Sequence, residues 1–129
     1  MTETKNYGLH LTVDGYNGSP DKLADVNRMY QFLNELPALI GMHKVGFPHI
    51  IQFTEKDIAG ISGFQFIMES HISMHTYSNR GFLSFDLYSC NKFDTDLVQK
   101  ELQKIYDVSD LEVNVVVRGT CFPCEPTFD

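Results

Sequence analysis

The chain has 129 residues, 43% of them hydrophobic, and a formal net charge of −7. That suits one compact domain, residues 1–129, with one core. No apolar run approaches the roughly 18 residues of a membrane span, and no basic face suited to phosphates is readable, so neither membrane nor nucleic acid is expected as a partner.

The opening MTETKNYG reads as neither a secretory signal nor a transit peptide, which points to the cytoplasm. Residues 7–14 alternate and predict a first strand. Ser19 is placed to cap a helix with Pro20 at its first position, where the missing N–H is no loss. Leu23, Val26, Tyr30 and Leu33 then recur at helical spacing, Pro37 weakens the end, and Gly41 closes it. HKVGFPHIIQF predicts a second strand, bent at Pro48, and TEKDIAG a loop. ISGFQFIM predicts a third strand, which HISMHTY either continues or follows after a bend. SNRG is a turn and FLSFDLYSC a fourth strand. Asp94 caps a second helix whose Val98, Leu102 and Ile105 share a face, and LEVNVVVRG closes the series as a strand. The order β-α-β-β-β-α-β, with one apolar face per strand and one apolar stripe per helix, predicts an α+β two-layer sandwich. Its sheet is mainly antiparallel, with both helices on one face.

Chemistry concentrates in ESHISMH, residues 69–75. His71 and His75 would align on a helix, but this segment reads as a strand, where four residues span about 13 Å. That is too far for one ion, so no metal is expected. No G-x-S-x-G elbow surrounds Ser62, Ser70 or Ser73, so a hydrolase triad has no positive sign. Read alone, these are polar residues on a solvated sheet. Cys121 and Cys124 form a lone C-x-x-C in a Pro-containing tail, without the second pair or helix start that a zinc or thioredoxin-like site needs. Cys90 lies on a strand of alternating character, in phase with Ser84, Asp86 and Tyr88, which gives it the polar face.

The stretch GISGFQFIMESHISMHTYSNRGFLSFDLYSC closely resembles the core of the S-adenosylmethionine decarboxylase proenzymes of the small bacterial and archaeal type. Gly60, Ser62, Gly63, Glu69, Ser70, His71, His75, Thr76, Gly81, Asp86 and Cys90 carry the likeness. Gly8-Leu9-His10-Leu11 and Arg118-Gly119 extend it across almost the whole chain. The resemblance implies a chain that cuts itself between Glu69 and Ser70, leaving a β chain, 1–69, and an α chain, 70–129, that begins with a pyruvoyl group made from Ser70. Ser70 attacks the Glu69 carbonyl, Ser62 assists, and His75 acts as the base that removes the α-proton of residue 70. The pyruvoyl ketone then condenses with the substrate amine as a Schiff base, takes up the electrons released with carbon dioxide, and Cys90 returns a proton to carbon. Glu69 could face a cationic substrate. His71 fits the motif, with a structural role open beside a chemical one, and Phe47 and Phe53 are candidate adenine stackers.

The resemblance further implies a homodimer of αβ units, with the site near the subunit interface, and a place in spermidine synthesis. Two departures bear on substrate: Tyr77-Ser78-Asn79 stands where the family commonly has W-P-E, and FPHIIQFTEKDIAG carries an insertion. Arginine or ornithine is therefore the alternative substrate. An unprocessed homologue that only binds a ligand or partner is the third reading.

Overall fold

The computed structural model describes residues 3–57 and 59–128. Its elements are β1 (Thr4–Lys5), β2 (Gly8–Tyr16), α1 (Pro20–Leu23), α2 (Val26–Leu39), β3 (Lys44–Phe53), β4 (Gly60–Ile67), β5 (Ser70–Tyr77), β6 (Phe82–Ser89), α3 (Thr95–Tyr106), β7 (Asp110–Arg118) and β8 (Phe122–Pro123). Six strands form one sheet in the order β3-β4-β5-β6-β2-β7, every neighbouring pair antiparallel. The expected α+β two-layer class stands. The order β-α-β-β-β-α-β gains one strand in the main sheet, because the chain reverses at Met68-Glu69 and returns as β5 against β4. A separate two-stranded piece, β1 with β8, straps the C-terminal tail to the N-terminus.

Alternation fixes the layers. Leu11 and Val13 of β2, Ile61 and Ile67 of β4, Ile72 and Met74 of β5, and Leu83, Phe85 and Leu87 of β6 are all buried. They pack against Met29, Phe32, Leu33 and Leu36 of α2 and Val98, Leu102 and Tyr106 of α3. At about 1.5–3 kcal/mol for each fully buried large apolar side chain, this single interface holds the sheet to its helices. The intervening residues, Ser62, Phe64, His71, Ser73, Ser84, Asp86 and Tyr88 among them, face the other way and are only partly covered.

The single first helix expected from the sequence is two. Ser19 caps the one-turn α1, whose first residue is Pro20; Asp25 then accepts a hydrogen bond from the Arg28 backbone and caps α2 afresh. The restart moves the apolar stripe onto Met29, Phe32, Leu33 and Leu36 and leaves Tyr30 partly exposed. Pro37 sits inside α2 near its end, and Gly41 follows with φ +77°. In β3 the pairing slips between Val45 and His49, where Gly46 takes a left-handed φ of +72°. Asp94 caps α3 through the backbone N–H groups of Asp96 and Leu97, as expected. No helix among the described residues is long and apolar enough to cross a membrane.

Candidate active site

The β4–β5 hairpin turns in two residues, with Ile67 opposite Ser70. Such turns normally use Gly or Asn where φ must be positive. Here Glu69 adopts φ +61°, a conformation that disfavours an L side chain by about 1–2 kcal/mol. The peptide bond that joins Glu69 to Ser70 is thus held by a residue under backbone strain. Replacing Glu69 with Gly relaxes it. We expect Glu69→Gly to slow any cutting at this bond about fivefold, the equivalent of about 1 kcal/mol, followed as appearance of fragments on a denaturing gel. Unchanged cutting would remove strain from the account.

Ser70 opens β5 on its buried side and is only 8% exposed. Its hydroxyl oxygen accepts a hydrogen bond from the Cys90 backbone N–H at 3.1 Å and donates toward Cys90 Sγ at 3.9 Å. The Cys90 thiol in turn points to Glu69 Oε2 at 3.7 Å. A hydroxyl, a thiol and a carboxylate therefore meet at one rim of the sheet, where β5 begins and β6 ends. On the open face this rim carries a cavity of about 450 Å³ lined by Glu69, Ser70, His71 and Tyr88 with Val45 and Phe66. Tyr7 stands beside it, its ring 6.0 Å from that of Tyr88. Desolvation, then the neighbouring Cys90, Glu69 and Tyr88, hold its phenol above the usual range.

Ser62 and His75 are elsewhere. They face each other across β4 and β5, and Ser62 Oγ lies 2.7 Å from His75 Nδ1. Phe53 and Tyr77 flank them in a second cavity of about 290 Å³. Five residues of strand separate Ser70 from His75, about 16 Å, and the two project from opposite faces. The expected site residues thus fall into two groups in one chain: Glu69, Ser70 and Cys90 at one rim, Ser62 and His75 toward the other. Phe53 lines the second group's cavity, while Phe47 is 69% exposed beneath Lys44 Nζ at 4.9 Å. Cys121 and Cys124 are free and flank β8, whose Phe122 packs on Tyr7 at 4.9 Å.

Between the groups runs a polar network that the sequence reading did not join. Asp86 accepts hydrogen bonds from Ser73 and, at 2.8 Å, from His10 Nε2, and lies 3.5 Å from His71 Nε2. Arg118 Nη1 sits 3.0 Å from His10 Nδ1, and its guanidinium covers Tyr88 at 4.8 Å. The His71 ring stacks on Phe64 at 5.5 Å and 20°. The signal lay in strand parity: Asp86 and Tyr88 are in phase with Cys90, and register places His10 opposite Tyr88.

An antiparallel sheet bare on one face, with a buried serine and a thiol in contact at its rim, defines a small α+β protein. The chain belongs to the S-adenosylmethionine decarboxylase family, whose family model matches residues 9–119. It is 32% identical over 90 residues to the S-adenosylmethionine decarboxylase proenzyme of Thermococcus kodakarensis, across 70% of this chain and 60% of that protein. The proenzyme of Symbiobacterium thermophilum is 36% identical over 84 residues, 65% of this chain and 61% of that one. These two matches thus span about three fifths of the relatives' length. The Persephonella marina proenzyme matches at 30% over 117 residues, 90% of this chain and 85% of its own. A crystal structure of the adenosylmethionine decarboxylase from Aquifex aeolicus VF5 superimposes with a TM-score of 0.75 over 96% of this chain and 99% of that one; at 24% identity this likeness speaks for the fold.

Proposed function

We propose that the chain is the proenzyme of a pyruvoyl-dependent S-adenosylmethionine decarboxylase, a cytoplasmic carboxy-lyase that supplies the aminopropyl donor for spermidine. The observation that carries this reading is the left-handed Glu69 immediately before a buried serine whose hydroxyl touches Cys90. The family and the relatives are named for S-adenosylmethionine, which favours that substrate over arginine or ornithine.

The residues fit the group they would carry. Position 70 supplies the serine from which it is made, and the Cys90 backbone N–H already points at the oxygen on that residue. A pyruvoyl group there would supply a ketone for the substrate amine and an adjoining carbonyl as electron sink. The protein's own residues do the rest. Glu69 places a carboxylate at the cavity, suited to a cationic substrate. Cys90 Sγ, within 3.9 Å of Ser70 Oγ, is positioned to return a proton to the substrate α-carbon that loses carbon dioxide.

Ser62 and His75 reach residue 70 only from a second copy. The open sheet face supports this: Val45, Ile51, Phe53 and Phe66 are exposed on β3 and β4, and a bare apolar sheet face calls for a partner. Two copies set face to face as a homodimer would complete each rim with the other copy's Ser62–His75 pair.

One experiment tests the assignment. Freshly purified protein is resolved on a denaturing gel, then offered S-adenosylmethionine, arginine and ornithine while released carbon dioxide is counted. We expect two fragments divided at 69/70 and release from S-adenosylmethionine. In the same assay Cys90→Ala should still be cut, at least in part, while turnover falls about 100-fold or more, the size of a lost positioned acid. Wild-type rates in that variant would take Cys90 out of the chemistry.

A further inference from the structure

The reading above leaves His71 without a task, yet among the described residues of one chain the rim cavity holds one imidazole, and it is this one. An α-amino acid arrives as an ammonium, which has no lone pair; its nitrogen can attack a carbonyl only after a proton has left. We propose that His71 takes that proton, with Asp86 as the counter-charge of the imidazolium that forms. The inference rests on the decarboxylase reading and deepens it. In the step, one N–H bond of the substrate breaks, its electron pair stays on the amine nitrogen, and the proton bonds to His71 Nδ1.

Three features of the site carry this. First, the ring is held in place: Phe64 stacks against one side, Tyr88 lies 5.8 Å away, and Asp86 Oδ2 sits 3.5 Å from Nε2. Second, the negative charge of Asp86 is kept for His71. Arginine can only donate, so Arg118 Nη1 at 3.0 Å makes His10 Nδ1 an acceptor. His10 then carries its hydrogen on Nε2 and donates it to Asp86 at 2.8 Å, with no imidazolium there to cancel the carboxylate. Third, the other candidates are engaged. Glu69 receives the Cys90 thiol, and His75, which the homodimer reading brings to the rim from the second copy, is held by Ser62 Oγ at 2.7 Å from its Nδ1. The titratable and charged groups facing His71 among the described residues of one chain are Glu69 from its own turn, Asp86 and Tyr88 from β6, His10 from β2, and Arg118 from β7 behind His10; β4 presents the apolar Phe64, Phe66 and Ile67.

The size of the effect follows from the substrate. An α-amine with a pKa of about 8 is roughly one-tenth neutral at pH 7 and nine-tenths neutral at pH 9. A His71→Gln enzyme that must wait for the neutral amine should therefore lose about tenfold in kcat/KM at pH 7 and come within about twofold of wild type at pH 9. Asp86→Asn should show the same alkaline recovery from a smaller loss. A residue that merely supported the fold would lose the same factor at both pH values. A second readout needs no turnover. In uncut Ser70→Ala protein, adding S-adenosylmethionine at neutral pH should shift the ¹⁵N signals of the His71 ring as the substrate nitrogen meets Nδ1, with those of His10 unchanged. An equal loss at pH 7 and pH 9, wild-type behaviour of His71→Gln, or a silent His71 ring would each overturn the proposal. If His71→Gln remains uncut, the nitrogen spectrum decides. Failure of the decarboxylase reading looks different: the wild-type protein itself would stay whole and release nothing.

Discussion

Ser70→Ala protein should emerge as one unbroken chain and release no carbon dioxide from any substrate, a loss of at least four orders of magnitude against wild type. Alanine offers no oxygen to attack the Glu69 carbonyl and nothing from which a ketone could be made. The fold should survive. The side chain is small, and its polar contacts are with the neighbouring Cys90. Intact-mass measurement and a thermal melt read both halves of the expectation. A split or active Ser70→Ala protein would refute the assignment.

The second large effect concerns His75. Alone, His75→Ala should block maturation, because it removes the base that the second copy is proposed to bring. Co-expression with Ser70→Ala, however, should restore cutting. In a mixed dimer the His75→Ala chain brings Ser70 and the Ser70→Ala chain brings His75, so one complete site forms from two dead chains. Differently tagged subunits show which one is cut: only the His75→Ala chain, and only when both are present. If the mixture stays whole, the two groups do not meet between copies, and the roughly 16 Å within one chain would need another explanation.

Much of this was readable from the residues. Alternation on β2 and β6, the final strand β7, the Ser19-Pro20 and Asp94 caps and the buried Val98 and Leu102 of α3 fall where the sequence reading placed them, with Tyr106 rather than Ile105 completing that buried face. Family likeness pointed to Ser70 and Cys90, and strand parity gave Cys90 the polar face; that the two touch is visible only in the fold. What escaped has physical reasons. The hairpin at Met68-Glu69 carries none of the Gly, Asn or Asp that announce a tight turn, so β4 and β5 read as one bent strand. Asp25 stops and restarts a helix at a point where apolar spacing alone runs straight on. The distance between Ser70 and His75 could not be seen while they were only five apart in sequence; it is the strand, not the number, that separates them. Nor could a linear reading join His10, Asp86 and Arg118, which meet only when β2 slots between β6 and β7.

That slotting has a consequence for the life of the molecule. A nick after residue 69 would assign β3, β4 and β2 to one fragment and β5, β6 and β7 to the other, yet in the sheet they interleave: two from the first, two from the second, one from the first, one from the second. Neither piece owns a contiguous sheet. The nicked protein would stay together through three shared ladders, but once melted it would have to reassemble by collision of two strangers. Rebuilding each sheet would need an encounter that the unbroken precursor, carrying all six strands on one chain, does not.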